Sequence, residues 1–192
     1  MTKEYSVPDK NNQNNYMFDT SAYNHIIQSK EKMETTKQSI LYGFCYYSTA
    51  LQDNELAGKG AKTYNSDCLS VSNFVAPPEF QQKIDMLDEA LGVRLVPEIA
   101  TAMRDHSRLD GTNRFAASNS LSGQVYKRIV NKEAHEKTPF EHFYDAMIAE
   151  AAVNYECILV SDDGPLRDEV NMICPNGAIT TDELLEIINS YK

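Results

Sequence analysis

Four acidic residues sit where carboxylate chemistry is plausible. Asp19 follows the apolar run Tyr16-Met17-Phe18, Glu55 lies beyond the aromatic stretch at 44–47, Asp145 sits in Tyr144-Asp145-Ala146-Met147-Ile148, and Asp163 follows the apolar run 157–160. Carboxylates gathered in one pocket raise one another's pKa and cannot all stay ionised without compensation. A hard divalent cation removes the conflict, and a set made only of oxygen donors selects Mg²⁺ or Mn²⁺ over zinc. Such a centre lowers the pKa of a bound water and supports hydrolysis of a phosphodiester. Each acid also has a plainer role. Asp19 and Asp163 each precede a predicted helix, where Asp is a common N-cap. Glu55 alone reads as an exposed helix residue. Asp145 shares a helical stripe with Ile148, Ala149 and Ala152, where an unpaired buried carboxylate would be costly.

The elements that must position these acids follow from hydrophobic period and capping signals. Residues 16–18 read as a first strand ending at Asp19. Residues 21–43 read as one or two helices with a weak apolar face through Met33, Ile40 and Leu41. Residues 44–47 form a second strand, and Ser48-Thr49 opens a helix carrying Glu55. Glu55 lies about 9 Å along that helix at ~1.5 Å per residue. Residues 78–91 place Phe80, Ile84, Leu87 and Leu91 on one helical face. Residues 93–96 predict a third strand, a helix is expected from Pro97, and residues 111–123 read as a loop. Thr138-Pro139-Phe140-Glu141 is a capping box that opens a helix to about Tyr155. Residues 157–160 form a buried strand, Asp162-Asp163-Gly164-Pro165 turns into a helix ending near Val170, and residues 172–174 are expected to be a strand. Thr180-Thr181-Asp182-Glu183 opens a terminal helix. Alternating strands and helices imply an α/β fold with a mainly parallel sheet, in which functional groups gather beyond the carboxyl ends of the strands. Asp19 and Asp163 then share one sheet edge. Either Asp162 or Asp163 could be a ligand there, and Thr20, Ser161 and Asp162 stand beside the acids as supporting hydrogen-bonding groups.

Charge and composition narrow the partners. The chain of 192 residues carries a net charge of −10, against a dedicated nucleic-acid coat protein. Residues 104–137 nevertheless hold seven Lys or Arg against four Asp or Glu. Arg104, Arg108, Arg114, Lys127 and Arg128 are the candidates for gripping the phosphates of a polyanion there, with a solvated surface as the plainer reading. The four cysteines (Cys45, Cys68, Cys157, Cys174) form no CxxC pair and read as reduced thiols of a cytoplasmic protein. The histidines lack HxxxH spacing, which argues against zinc. No apolar run approaches a membrane span, and the polar N-terminus does not read as an export signal.

Three segments resemble the PIN-domain family. They are Tyr16-Met17-Phe18-Asp19-Thr20-Ser21, the stretch from Tyr46 through Ser48-Thr49 to Glu55-Leu56, and Tyr144-Asp145-Ala146 followed by Ile158-Leu159-Val160-Ser161-Asp162-Asp163. Ser161 and Asp162 replace the Thr and Asn usual in the last block, and Ser21 stands where toxin-like members often carry Asn. The resemblance implies a three-layer α/β/α sandwich. It also implies a Mg²⁺- or Mn²⁺-dependent endoribonuclease in which Asp19, Glu55, Asp145 and Asp163 bind the metal, leaving a 5′-phosphate and a 3′-hydroxyl. Many small members are VapC-type toxins with an antitoxin partner, and many form homodimers. The 90 residues separating Glu55 from Asp145 imply an insertion within about 57–138 of a single domain spanning 16–192, after a flexible lead-in at 1–15.

Three other readings compete. A PIN scaffold without catalysis would bind RNA or a protein partner. A phosphatase of the haloacid dehalogenase class needs Asp-x-Asp, and Ser21 occupies the second Asp position. The stretch Gly58-Lys59-Gly60-Ala61-Lys62-Thr63 imitates a phosphate loop, but Ala61 and Leu56 stand where that motif needs Gly.

Overall fold

The computed structural model describes residues 3–56, 78–97, 100–101, 113–114, 120–133 and 143–192. In chain order the elements are β1 (Asn15–Phe18), α1 (Thr20–Ile27), α2 (Lys30–Gln38), a 3-10 turn (Ser39–Tyr42), β2 (Cys45–Ser48), α3 (Ala50–Leu56), α4 (Pro78–Leu91) and β3 (Arg94–Leu95). There follow β4 (Ala100–Thr101), β5 (Asn113–Arg114), α5 (Leu121–Glu133), α6 (Phe143–Asn154), β6 (Ile158–Val160), α7 (Gly164–Ile173), β7 (Ala178–Ile179) and α8 (Thr181–Asn189).

The central sheet has five strands in the order β3-β2-β1-β6-β7, every pair parallel. The period of two along each strand sends alternate side chains to opposite faces. Tyr16, Phe18, Tyr46 and Val160 pack on one side with residues of α1, α2, α4 and α8. Met17, Tyr47 and Leu159 pack on the other with residues of α5, α6 and α7. The result is an α/β fold of three layers, helices covering both faces of the sheet. β4 and β5 form a separate parallel pair.

The chain first builds outward from β1 through β2 to β3, then returns to the opposite side of β1 with β6 and β7. The carboxyl ends of β1 and β6 are therefore the point where the winding reverses. In open parallel sheets this is where a crevice opens and ligands bind. Asp19 follows β1 directly, and its N–H donates to Val160 O at 2.8 Å, extending the β1–β6 ladder by one residue.

Several expected elements change. Residues 172–174 are not a strand. Met172 and Ile173 finish α7, because Leu166, Val170 and Ile173 continue one helical face, and the next strand is Ala178–Ile179. The Asn171 side chain bonds both the N–H and the C=O of Ala178 at 2.9 Å, fastening α7 to that strand. Ile40 and Leu41 belong to no buried face. They sit in the 3-10 turn, which Gly43 ends at φ 80°, and Leu41 is 82% exposed. Pro97 lies in no helix, Ala100–Thr101 is the strand β4, and residues 98–99 lie outside the described residues. The end of the predicted 111–123 loop belongs instead to α5, whose Val125, Tyr126 and Ile129 are buried. Asn15, assigned by composition to the lead-in, opens β1 and is buried. The capping box at 138–141 lies outside the described residues. Among the described residues no helix is long and apolar enough to cross a membrane.

Phe18 shows how the sheet is held. Its ring is buried, stacks on Tyr46 at 4.9 Å and meets Tyr23 edge-on at 5.2 Å. Phe18→Ala should lower the unfolding free energy by about 3–5 kcal/mol in urea denaturation. Leu41→Ala should change it by less than about 0.5 kcal/mol. Equal effects of the two substitutions would contradict this packing.

Candidate acidic site at the carboxyl edge of the sheet

The site is built around one buried carboxylate. Asp19 is 4% exposed and serves as N-cap of α1. An ionised carboxylate removed from water costs several kcal/mol unless donors replace its hydration. Three donors do so. Oδ1 accepts from the Thr20 N–H at 2.6 Å, and Oδ2 accepts from the Ser21 hydroxyl at 2.7 Å and the Ser161 hydroxyl at 2.8 Å. Hydrogen bonds to a charged group contribute about 1.5–3 kcal/mol each, enough to offset that cost.

The two serines carry the contact onward. Ser21 Oγ accepts from the Asp162 N–H at 2.9 Å, and Ser161 Oγ accepts from the Asp163 N–H at 3.1 Å. Each hydroxyl thus donates to Asp19 and accepts from the loop between β6 and α7. Asp19 and the backbone of Asp163 share one hydroxyl, so the two acids are neighbours at the switch point.

Asp162 and Asp163 have separate tasks. Asp163 is N-cap of α7, where its Oδ1 accepts from the Leu166 N–H at 3.0 Å; its Oδ2 has no hydrogen bond among the described residues. Asp162 turns toward α8 and α1. It accepts from the N–H of Thr181 at 3.1 Å, from the Thr181 hydroxyl at 2.8 Å, and faces His25 Nδ1 at 2.6 Å. Lys32 Nζ lies against His25 Nε2 and also pairs with Asp182 at 2.8 Å. An ammonium can only donate, so His25 Nε2 accepts and the ring hydrogen sits on Nδ1, directed at Asp162. Burial raises the Asp162 carboxyl, but Thr181 and His25 outweigh it and hold it below the ordinary carboxylate value.

The remaining predicted residues are placed as follows. Asp145 lies in the first turn of α6, half-buried, while Ala146, Ile148, Ala149 and Ala152 are buried. Glu55 belongs to α3, and Arg114 to β5, with their side chains outside the described residues. Arg104 and Arg108 lie outside them altogether. Lys127 is exposed on α5. Arg128, also on α5, pairs with Glu169 at 2.6 Å and reaches Met172 Sδ, both in the latter half of α7 and so away from the candidate edge. Among the described residues no group of three or more His, Cys, Asp or Glu stands ready to hold a metal ion.

Four side chains at this edge, Ser21, His25, Gln52 and Arg167, are not among the residues that the sequence singles out as site residues. Ser21 bridges Asp19 and the Asp162 N–H, and His25 faces Asp162, contacts that no local spacing marks. Gln52 forms a capping box with Thr49 through bonds of 2.6 and 3.3 Å, and its Nε2 donates to Phe18 O, tying the start of α3 to the end of β1. Arg167 donates from Nη1 to Ser161 O at 2.8 Å and has no carboxylate partner among the described residues. The Thr49-x-x-Gln52 spacing is a signal that was available for Gln52. Comparison with known families, curated proteins and solved structures gives no match to this chain.

The Asp162 network sets a pH dependence. The carboxyl's folded pKa lies below its unfolded value of about 3.9, so its contribution is present above that value and is lost as pH falls through the folded one. Asp162→Ala should cost about 1–2 kcal/mol at neutral pH and flatten the acid limb of the stability profile. Urea midpoints measured from neutral pH down to about pH 2 check this. An acid limb of unchanged slope would contradict the role given to Asp162.

Proposed function

We propose that the chain is a PIN-like endoribonuclease that uses Mg²⁺ or Mn²⁺ at the carboxyl edge of its sheet. The observation that carries this reading is the pairing of Asp19 and Asp163 around the Ser161 hydroxyl at the β1–β6 switch point. Asp19 is held in one orientation by three donors, and Asp163 keeps a carboxylate oxygen without a hydrogen bond among the described residues. These all-oxygen donors suit a hard cation. Mg²⁺ usually needs only one or two carboxylates, with waters and substrate phosphates completing its shell.

Asp145 and Glu55 join the reading through topology. α6 runs into β6, so its first turn, with Asp145, lies toward the same edge as the end of β6. α3 starts at the end of β2, beside the end of β1. When bound, the cation activates a water and offsets charge on the scissile phosphate. The protein's own groups orient and screen. Ser21 and Ser161 fix the Asp19 carboxylate, and Arg167, with no carboxylate partner among the described residues, offers a planar cation to a substrate phosphate. Arg167 takes this task in place of Arg128, which is committed to Glu169. An antitoxin or a second copy of the chain as protein partner, and a cytoplasmic setting for its free thiols, extend the same family reading.

A second reading has one observation in its favour. Asp19 and Asp163 both cap helices, so their presence at these positions is explained without catalysis. A non-catalytic scaffold would bind RNA or a protein at this edge and cleave nothing.

Cleavage decides between them. Mixed RNAs incubated with Mn²⁺ should yield fragments with 5′-phosphate and 3′-hydroxyl ends, and chelation should stop the reaction. Asp19→Asn and Asp163→Asn should each reduce the rate by about a hundredfold or more, since losing a ligand costs at least as much as losing its supporting partner. Both variants should keep a cooperative unfolding transition. Intact RNA in every metal condition would end the nuclease reading.

A further inference from the structure

The segment before β1 makes contacts that neither the acidic site nor the sheet core requires. Tyr5 bridges Leu95 in parallel, Leu95 N–H donates to Glu4 O at 2.9 Å, and Ser6 N–H donates to Leu95 O at 2.8 Å. Residues 4–6 thus run along the outer edge of β3. Lys3 then enters the body of the molecule. Its ammonium lies 2.5 Å from Asp53 Oδ1 on α3, 2.7 Å from Asp88 Oδ2 on α4, and 3.3 Å from Ser48 Oγ at the end of β2. The Lys3 side chain is 14% exposed and that of Asp88 11%. The Tyr23 hydroxyl of α1 donates to the other Asp88 oxygen at 2.7 Å.

We propose that Lys3 is a positioning residue, a clamp that fixes α3 against α4 and β2 at the sheet edge where Asp19 lies. This rests on the nuclease reading for its catalytic consequence. The location supports it. The register that pairs Met17 with Tyr47 sets Ser48 level with Phe18, so Asp19 and Thr49 leave the sheet at the same level. Gln52 ties the first turn of α3 to Phe18 O. Lys3 grips the same helix one residue later, at Asp53. Glu55 follows two residues beyond, so the set of α3 fixes where that acid starts from.

The electrostatics explain why one lysine suffices. Asp53 and Asp88 are like charges near one cation, and without the ammonium they repel. Burial already raises the Asp88 carboxyl, with Lys3 and Tyr23 opposing that rise. Among the described residues, removing Lys3 leaves a buried acid paired with a phenol alone. Asp53 and α3 are then free to move outward into solvent.

Lys3→Met keeps most of the apolar stem and removes the charge. Lys3→Arg restores the charge, and Lys10→Met serves as control, because Lys10 makes an exposed pair with Glu156 away from this edge. Hydrogen exchange of the amides of residues 50–56 should quicken in Lys3→Met and stay as in the parent for the other two. Under the nuclease reading, kcat for RNA cleavage should fall about tenfold or more with KM unchanged, as expected when reacting groups are displaced by about an ångström. Lys3→Arg should recover most of that loss. Unchanged exchange in α3, or a lowered melting temperature with kcat preserved well below it, would overturn the clamp. A parent protein that cleaves no RNA would sink the nuclease reading alone, and the exchange of α3 would then decide the clamp by itself.

Discussion

A single buried negative charge organises the edge of this sheet. Asp19 stands where the chain's winding reverses, almost out of reach of water, and remains tolerable only because three donors surround it. Two of those donors are hydroxyls that each accept a backbone N–H from the loop after β6. The carboxylate therefore does more than begin α1. Through Ser21 and Ser161 it sets the path of residues 161–163, and so the positions of the next two acids. A neutral side chain of the same shape would still fill the space. It would not draw both hydroxyls inward with the same force, since hydrogen bonds to an ionised acceptor are roughly twice as strong as neutral ones.

The parallel topology surrounds that charge with helix starts. α1 follows β1, α3 follows β2, α7 follows β6 and α8 follows β7, so four N-termini come to one edge. Each is closed by its own side chain: Asp19, Thr49, Asp163 and Thr180. The positive ends of their dipoles favour negative charge at this edge. Acidic residues that would repel one another in isolation are thus held by a field that the fold supplies. A capping role and a ligand role are compatible for Asp163, because a carboxylate has two oxygens and the cap engages one.

Much of this was legible in the chain because the signals were local. The apolar runs before Asp19 and Asp163 mark β1 and β6. The face through Ile84, Leu87 and Leu91 marks α4, and Thr180 with Glu183 marks the start of α8 through a capping box that the structure forms in both directions. The failures come from competition or distance. Ile173 fits both a strand and the last turn of a helix, and packing with Leu166 and Val170 decided for the helix. Ile40 and Leu41 lost their place on a helical face when the chain tightened into a 3-10 turn before Gly43. The Ser21 hydroxyl meets the Asp162 N–H across 141 positions of sequence, and Lys3 meets Asp53 across 50. No period or spacing encodes such contacts; only the register of β1 against β6, and of residues 4–6 against β3, brings them about.

The choice between Asp162 and Asp163 shows how strand alternation turns two identical neighbours into different instruments. In β6, Ile158 and Val160 face the layer of α1 and α8, whereas Leu159 faces the layer of α6 and α7. The alternation persists for three residues past the strand. Ser161 Oγ and Asp163 serve the Asp19–α7 side, while Asp162 reaches Thr181 on α8 and His25 on α1. The Asp162 carboxylate is thereby engaged by two helices, α8 and α1, meeting at one corner, with its charge answered by a hydroxyl, an amide and an imidazole. Asp163 meets one amide. A slip of one residue in the β1–β6 register would exchange these surroundings. It would carry the Asp162 carboxylate against Asp19 in place of the Ser161 hydroxyl, setting two like charges where one is now satisfied. The cost of that repulsion and of the lost donor gives the register a preference that apolar packing alone, with Val160 and Leu159 of similar size, would supply only weakly.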